Sequence, residues 1–186
     1  SQYRIIRRTV SQILGKISFI ELKNGLWENI FEEFSEYLSF KNFMSNCYEG
    51  ILETMEFLFQ EFFNGVKFLD LFGIKSPYIL NIILDPIKRN NLEQEQLIFS
   101  ALKTLFTTLH FIKLDGYDCD LIFSLIVNQL ITYSNDIRKI SFEILELLVK
   151  RYYKLVNRFI SVIFDQTLTT FEQCNEEVGL KAIEFW

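Results

Sequence analysis

Ile98-Phe99-Ser100-Ala101-Leu102-Lys103-Thr104-Leu105-Phe106-Thr107-Thr108-Leu109 sets Ile98, Leu102, Leu105 and Leu109 at steps of four, three and four residues. That spacing gathers the four side chains on one side of an α-helix. The pattern recurs at Ile51, Met55, Leu58 and Phe62, at Ile6, Val10, Ile13, Ile17 and Ile20, and at Ile137, Ile140, Ile144 and Leu147. In chain order the four stretches start 45, 47 and 39 residues apart, the period of repeated helix pairs. A two-helix unit cannot bury its apolar face alone, so neighbours must stack. The sequence therefore predicts an all-α solenoid of antiparallel helix pairs, in which function lies on extended surfaces rather than in a pocket.

Composition agrees. Of the 186 residues 49% are hydrophobic, which is too apolar for disorder, and 7 Gly and 2 Pro are too few turn residues for a many-stranded β protein. The densest apolar run, Ile79–Leu84, is far shorter than a membrane span, so no membrane insertion is expected. The net charge of −5 argues against a nucleic-acid surface, and Arg4/Arg7/Arg8 and Lys150/Arg151/Lys154/Arg158 read as solvated helix faces. Cys47, Cys119 and Cys174 show no paired spacing, which speaks against a metal site or disulfide framework and for a reducing compartment. Ser1 opens the chain without Met and Ala182–Trp186 stops within an apolar helical pattern, so the sequence reads as a fragment.

Stop and start signals place a first helix at about 3–22, ended by Lys23-Asn24-Gly25, and a second at 26–39 with Trp27, Ile30, Phe34 and Leu38 on one side. A third runs from a cap at Asn42 or Ser45 to about 63. Asn64–Lys75 reads as an apolar loop folded onto the body. Ser76-Pro77 reads as a capped helix start, and Pro86 as a kink or an end near Asp85. Beyond the Asn90-Asn91 linker, helices are expected at 92–111, 117–132, 136–153 and 154–172, with another beginning at Asn175. One solenoid over 1–186 results: a lone helix 3–22, then repeats of about 26–63, 76–111, 117–153 and a shortened 154–186.

Chemistry is thin. His110 has no nearby nucleophile or carboxylate pattern, Asn64-Gly65 and Asp115-Gly116 are isolated turn signals, and Glu32/Glu33/Glu36 and Glu93/Glu95 fall on exposed faces. No enzyme and no cofactor is expected. A docking surface is the better candidate. Ile79 and Ile83 form one stripe while Leu80, Leu84 and Ile87 form a second. The second stripe either binds a partner or packs against a neighbouring repeat.

The residues then resemble a family. Glu177-Val178-Gly179-Leu180-Lys181-Ala182-Ile183-Glu184-Phe185-Trp186 is similar to the "EVALQGIEFW" segment of importin-β (karyopherin-β) nuclear transport receptors. Ser134–Lys139 resembles their "CPDTRVR", Ser100–Phe111 their "AATNALLNSLEF", and Ile17–Leu22 with Trp27–Ile30 their "IACAEI…WPELI". The resemblance keeps its order along almost the whole chain and is poorest at 40–75. It implies a right-handed α-solenoid of HEAT repeats, with helices 26–39, 76–89, 117–132 and 154–172 outside and the remainder inside.

The resemblance also implies partners. In the family, nucleoporin Phe-Gly repeats insert Phe between outer helices. The "EILTAII" and "ERHFIM" segments carry those positions onto Leu80, Asn81 and Leu84 and onto Asp120, Phe123 and Ser124. Ser124 stands where the family has Ile. Burying one Phe side chain is worth roughly 1.5–3 kcal/mol, so each contact is weak and affinity comes from many. The inner helices would supply part of a Ran-GTP surface, and cargo or the importin-α adaptor would be reached only through repeats outside this chain. The implied localisation is cytoplasm and nucleus, at the nuclear envelope and pore. A HEAT scaffold outside transport is the alternative.

Overall fold

The computed structural model describes residues 2–40, 45–63, 69–89, 91–132, 134–173 and 176–186. Among these there are nine α-helices and no strand: α1 Gln2–Lys23, α2 Ile30–Phe40, α3 Ser45–Phe63, α4 Leu69–Arg89, α5 Glu95–Thr108, α6 Gly116–Thr132, α7 Asn135–Val156, α8 Ile160–Gln173 and α9 Glu176–Phe185. They fall into two compact units, Ser1–Lys113 and Leu114–Trp186.

In the first unit α1, α3 and α5 form one layer and α2 and α4 the other, with α4 packed on α5. Helices within a layer run parallel. Going up α1, Arg7 pairs with Glu49 and Glu53, Ser11 donates to the Gly50 carbonyl at 3.0 Å, and Phe19 meets Phe62 edge-on at 4.9 Å. Going up α3, the Leu52 carbonyl accepts from Thr104 of α5 at 3.0 Å, and Phe63 meets His110, just past the end of α5, edge-on at 5.0 Å. Helices of opposite layers run antiparallel: Tyr48, early in α3, reaches Ile82, late in α4, while Phe59 and Phe62, late in α3, meet Phe72, early in α4. Around Phe59 and Phe72 the rings of Phe31, Phe62 and Phe111 close a continuous aromatic core.

The second unit repeats this logic. Paired helices α6/α7 and α8/α9 stack so that α7 meets α9 and α6 meets α8. Lys139 and Glu143 of α7 meet Glu177 and Lys181 of α9 in the same order, so these two run parallel. Arg138, near the start of α7, donates to the Leu130 carbonyl near the end of α6 at 3.1 Å, an antiparallel pairing. In each unit this is the arrangement of an α-solenoid, as the period of the apolar stripes requires.

Three stripes pack as the sequence predicts. Ile51, Met55, Leu58 and Phe62 are buried, as are Ile98, Leu102, Leu105 and Leu109, and as are Ile137, Ile140 and Ile144, with Leu147 at the end of that stripe half-buried. The α1 stripe does not: Ile6, Val10, Ile13, Ile17 and Ile20 are exposed, and α1 packs through Ser11, Gly15, Ser18 and Leu22. Small residues let the backbones of α1 and α3 approach closely, which a row of Ile would prevent. A Cβ on Gly15 would lie 2.7 Å from the Phe57 Cβ and 3.0 Å from the Leu58 nitrogen.

Helix boundaries show where local chemistry overrides periodicity. Gly25, at φ 69, closes α1: its N–H donates to the Leu22 carbonyl and that of Leu26 to the Glu21 carbonyl. Leu26 is used in that closure, so α2 starts at Ile30 rather than 26. The expected loop and helix start before residue 76 are replaced by helix: α4 begins at Leu69 and continues through Pro77 and Pro86 to Arg89. Asn64–Phe68, Asn42, Asn90, Cys174 and Asn175 lie outside the described residues. Each proline withholds the N–H that would bond the carbonyl four residues back, and a hydroxyl takes its place. Ser76 donates to Gly73 at 3.0 Å and Tyr48 to Ile82 at 2.7 Å. Towards the end of α7, Tyr152 departs from helical geometry (φ −128, ψ 40), and α8 starts at Ile160 instead of 154.

Candidate functional site

The residues assigned to Phe-Gly binding divide between the units. In the first, Leu80 and Leu84 on α4 are buried (4% and 2% exposed), and Asn81 is exposed. Both apolar stripes of α4 are inside, since Ile79, Ile83 and Ile87 are buried too. In the second, Phe123 is fully buried and stacks on Phe159, with centroids 5.3 Å apart at 9°. Asp120 is held by Arg158 at 2.6 Å, and Ser124 is exposed. Asp120 and Phe123 thus engage two consecutive residues, Arg158 and Phe159, leading into α8.

Asn81 opens onto a cleft of about 140 Å³ between α2 and α4. Ser35, Leu38 and Ser39 form one wall, Asn81, Asp85 and Arg89 the other, and Tyr48 the floor. Asp85 is tied to Arg89 one turn away at 2.9 Å and stands 3.3 Å from the Tyr48 hydroxyl. Burial first, then the negative charge of Asp85, pushes the Tyr48 phenol well above its ordinary range, so it stays a proton donor. The cleft can accept hydrogen bonds and a small polar side chain. Sequence reading missed Tyr48, Asp85 and Arg89. The available signal was Pro86, whose helical position demands a substitute donor for Ile82.

The α1/α3/α5 layer of the first unit has a wider opening, about 630 Å³, edged by Tyr3, Arg4, Ile6 and Arg7 of α1, Asn46, Cys47 and Glu49 of α3, and Gln96. Arg7 bridges Glu49 and Glu53 there, so it is not a solvated face residue. Desolvation raises the Glu49 carboxyl above its ordinary value, with Arg7 opposing the shift. A carboxyl raised on folding contributes stability while protonated, and loses it as pH rises through the raised value. Wild type should therefore gain stability relative to Glu49→Gln as pH falls from neutral. Urea unfolding of both proteins measures this, and curves that stay parallel across the range contradict it.

Elsewhere the chemistry is quiet. Burial and the nearby Asp120, Asp115 and Asp118 carboxylates push the Cys119 thiol up to about 11, disfavouring the thiolate. His110 lies edge-on between Phe63 and Phe106, with centroids at 5.0 and 5.6 Å. Glu32, expected on an exposed face, pairs with Lys75 of α4 and is half-buried. Among the described residues no cluster has the makings of a metal site, and no helix is long and apolar enough to cross a membrane.

No family model matches the chain. Among curated proteins it is similar to importin subunit beta-1 of Arabidopsis thaliana, at 23% identity over 186 residues, covering 97% of this chain and 20% of that protein. The chain spans about a fifth of that relative's length. Together with the stacked helix pairs, the similarity supports an importin-like HEAT-repeat chain.

Proposed function

We propose that this chain is a segment of a nuclear transport receptor that binds nucleoporin Phe-Gly repeats on its outer helices and adds part of a Ran-GTP surface on its inner ones. The observation that carries the reading is the similarity to importin subunit beta-1 along nearly the entire chain. Leu80, Asn81, Leu84, Asp120, Phe123 and Ser124 are the residues assigned to the peptide. The role is binding rather than catalysis, and it needs no cofactor. The wide opening at the starts of α1 and α3 is the inner surface offered to Ran-GTP.

A HEAT interaction scaffold outside transport is the second reading, and burial favours it. The three apolar positions of the assigned site, Leu80, Leu84 and Phe123, are at most 4% exposed, so a Phe ring finds them only if neighbouring side chains move. Exposed Ser124 separates the readings without disturbing the core. Titration of a labelled Phe-Gly peptide should give weak saturable binding, and Ser124→Ile should tighten it about threefold through added apolar contact. Absence of saturable binding by wild type rejects the transport reading. An unchanged Ser124→Ile affinity rejects the assigned residues.

A further inference from the structure

Phe72 fills a socket of four rings in the first unit. Between centroids it lies 4.8 Å from Phe62, 5.2 Å from Phe59, 6.0 Å from Phe111 and 6.3 Å from Phe31. The four rings also hold one another. Phe59 stacks on Phe31 and on Phe111, and Phe62 meets Phe111 and, beyond it, Phe19 of α1 edge-on. They come from α2, α3 and the turn after α5, whereas Phe72 comes from α4. The walls of the socket therefore support each other without the ring at its centre.

Phe72 also sits on a separable part of its helix. Pro77 has no N–H for the Gly73 carbonyl, so one helical bond is missing between residues 69–76 and the rest of α4. The Ser76 hydroxyl replaces it in an exposed bond, where water competes. Gly73 adds backbone freedom, and a Cβ there would meet nothing within 4 Å. Gly73, Ile74 and Pro77 are exposed, and the next buried residue after Phe72 is Ile79, past the proline. Lys75 pairs with Glu32 of α2, but the second oxygen of that carboxylate is buried without a partner. Opening the segment lets water reach that oxygen, which offsets part of the cost.

We propose that residues 69–76 swing out as a strap hinged at Pro77, and that the vacated socket takes a Phe side chain of a partner peptide. The occupant is read from the socket itself, which already holds a Phe ring packed edge-on or tilted against its neighbours. The inference rests on the transport reading for the peptide, a Phe-Gly repeat, but it uses none of the residues assigned there. Burial of Leu80, Leu84 and Phe123 is then no obstacle, because the ring enters a different pocket. Apparent affinity is reduced by the fraction of molecules in which the strap is open.

Titration of the labelled Phe-Gly peptide tests it with two substitutions in the strap. Phe72→Ala empties the socket and should tighten binding at least tenfold. Gly73→Ala, at an exposed position, stiffens the strap and should weaken binding about threefold. Hydrogen exchange reads the strap directly: amides of 73–76 should exchange at least tenfold faster than those of 79–85, and Pro77→Ala should slow them. Circular dichroism checks helix content, and if Phe72→Ala loses it, Gly73→Ala and hydrogen exchange decide. A peptide affinity that responds to Ser124→Ile but to neither strap substitution keeps the transport reading and overturns the strap. N-acetylphenylalaninamide carries the ring without the repeat. If it binds Phe72→Ala more tightly than wild type while the Phe-Gly peptide binds neither, the socket stands and the transport reading falls. If neither ligand responds to Phe72→Ala, or the strap amides exchange as slowly as 79–85, the proposal is overturned.

Discussion

Replacing Gly15 by alanine should destabilise the protein by about 2 kcal/mol, although alanine is the better helix former by about 1 kcal/mol. The reason is the approach of α1 to α3. A Cβ at residue 15 would lie 2.7 Å from the Phe57 Cβ, 3.0 Å from the Leu58 nitrogen and 3.1 Å from the Thr54 carbonyl oxygen. Two of these atoms are backbone and the third is fixed to it, so relief requires moving one helix away from the other. That motion also stretches the Ser11–Gly50 hydrogen bond and separates the Phe19 and Phe62 rings. Gly15→Leu cannot be accommodated even so, and α1 should leave its seat and unfold, opening the backbone at Lys16 and Lys23 to trypsin. Gly73→Ala is the control: it lies in α4 with no atom within 4 Å of the added carbon, so it should gain about 0.5–1 kcal/mol. Urea unfolding and hydrogen exchange on α1 measure these effects. A Gly15→Ala protein as stable as wild type would show that α1 does not pack on its small-residue face.

The case of α1 also shows how far the sequence can be read. Periodicity locates helices well, and where a helix has neighbours on both sides, as α3 does between α1 and α5, its apolar stripe is its buried face. It cannot say which face of a helix is used when two are available. In α1, Ser11, Gly15 and Ser18 recur at helical spacing just as the isoleucines do, but the usual transfer argument gives small residues no weight. Their contribution is close approach, which depends on the partner helix and is absent from any single-helix pattern. Prolines mislead for a related reason. Pro77 signals a helix start and Pro86 a kink or an end when local hydrogen bonding alone is considered, and hydroxyls from Ser76 and Tyr48 remove that penalty. Ser76 is adjacent in sequence and the exchange was open to inspection, whereas Tyr48 lies on another helix. Among the assigned binding residues, the resemblance supplied positions and not exposure. Phe123 is buried because Phe159 stacks on it, a contact 36 residues distant in the chain.

Tyr48→Phe should cost about 1–3 kcal/mol in wild type and under about 0.5 kcal/mol when Pro86 is also replaced by alanine. The phenol hydroxyl donates to the Ile82 carbonyl at 2.7 Å within the buried interior. That carbonyl lost its helical partner to Pro86, which has no N–H, so removing the hydroxyl strands a buried acceptor. Asp85 loses less, because Arg89 still bonds it. Alanine at 86 restores a backbone N–H aimed at Ile82 and makes the hydroxyl redundant. Pro86→Ala alone should do little harm, since a carbonyl oxygen can accept from both donors. The comparable bond from Ser76 to Gly73 is exposed, so water can replace it and no similar coupling is expected there. Urea unfolding of the four proteins in the cycle gives the coupling directly. If Tyr48→Phe costs the same with either residue at 86, the phenol stabilises α4 through packing or through Asp85, and the exchange of hydroxyl for backbone N–H is wrong. If the cost vanishes with alanine, one side chain of α3 is what allows α4 to continue through a proline.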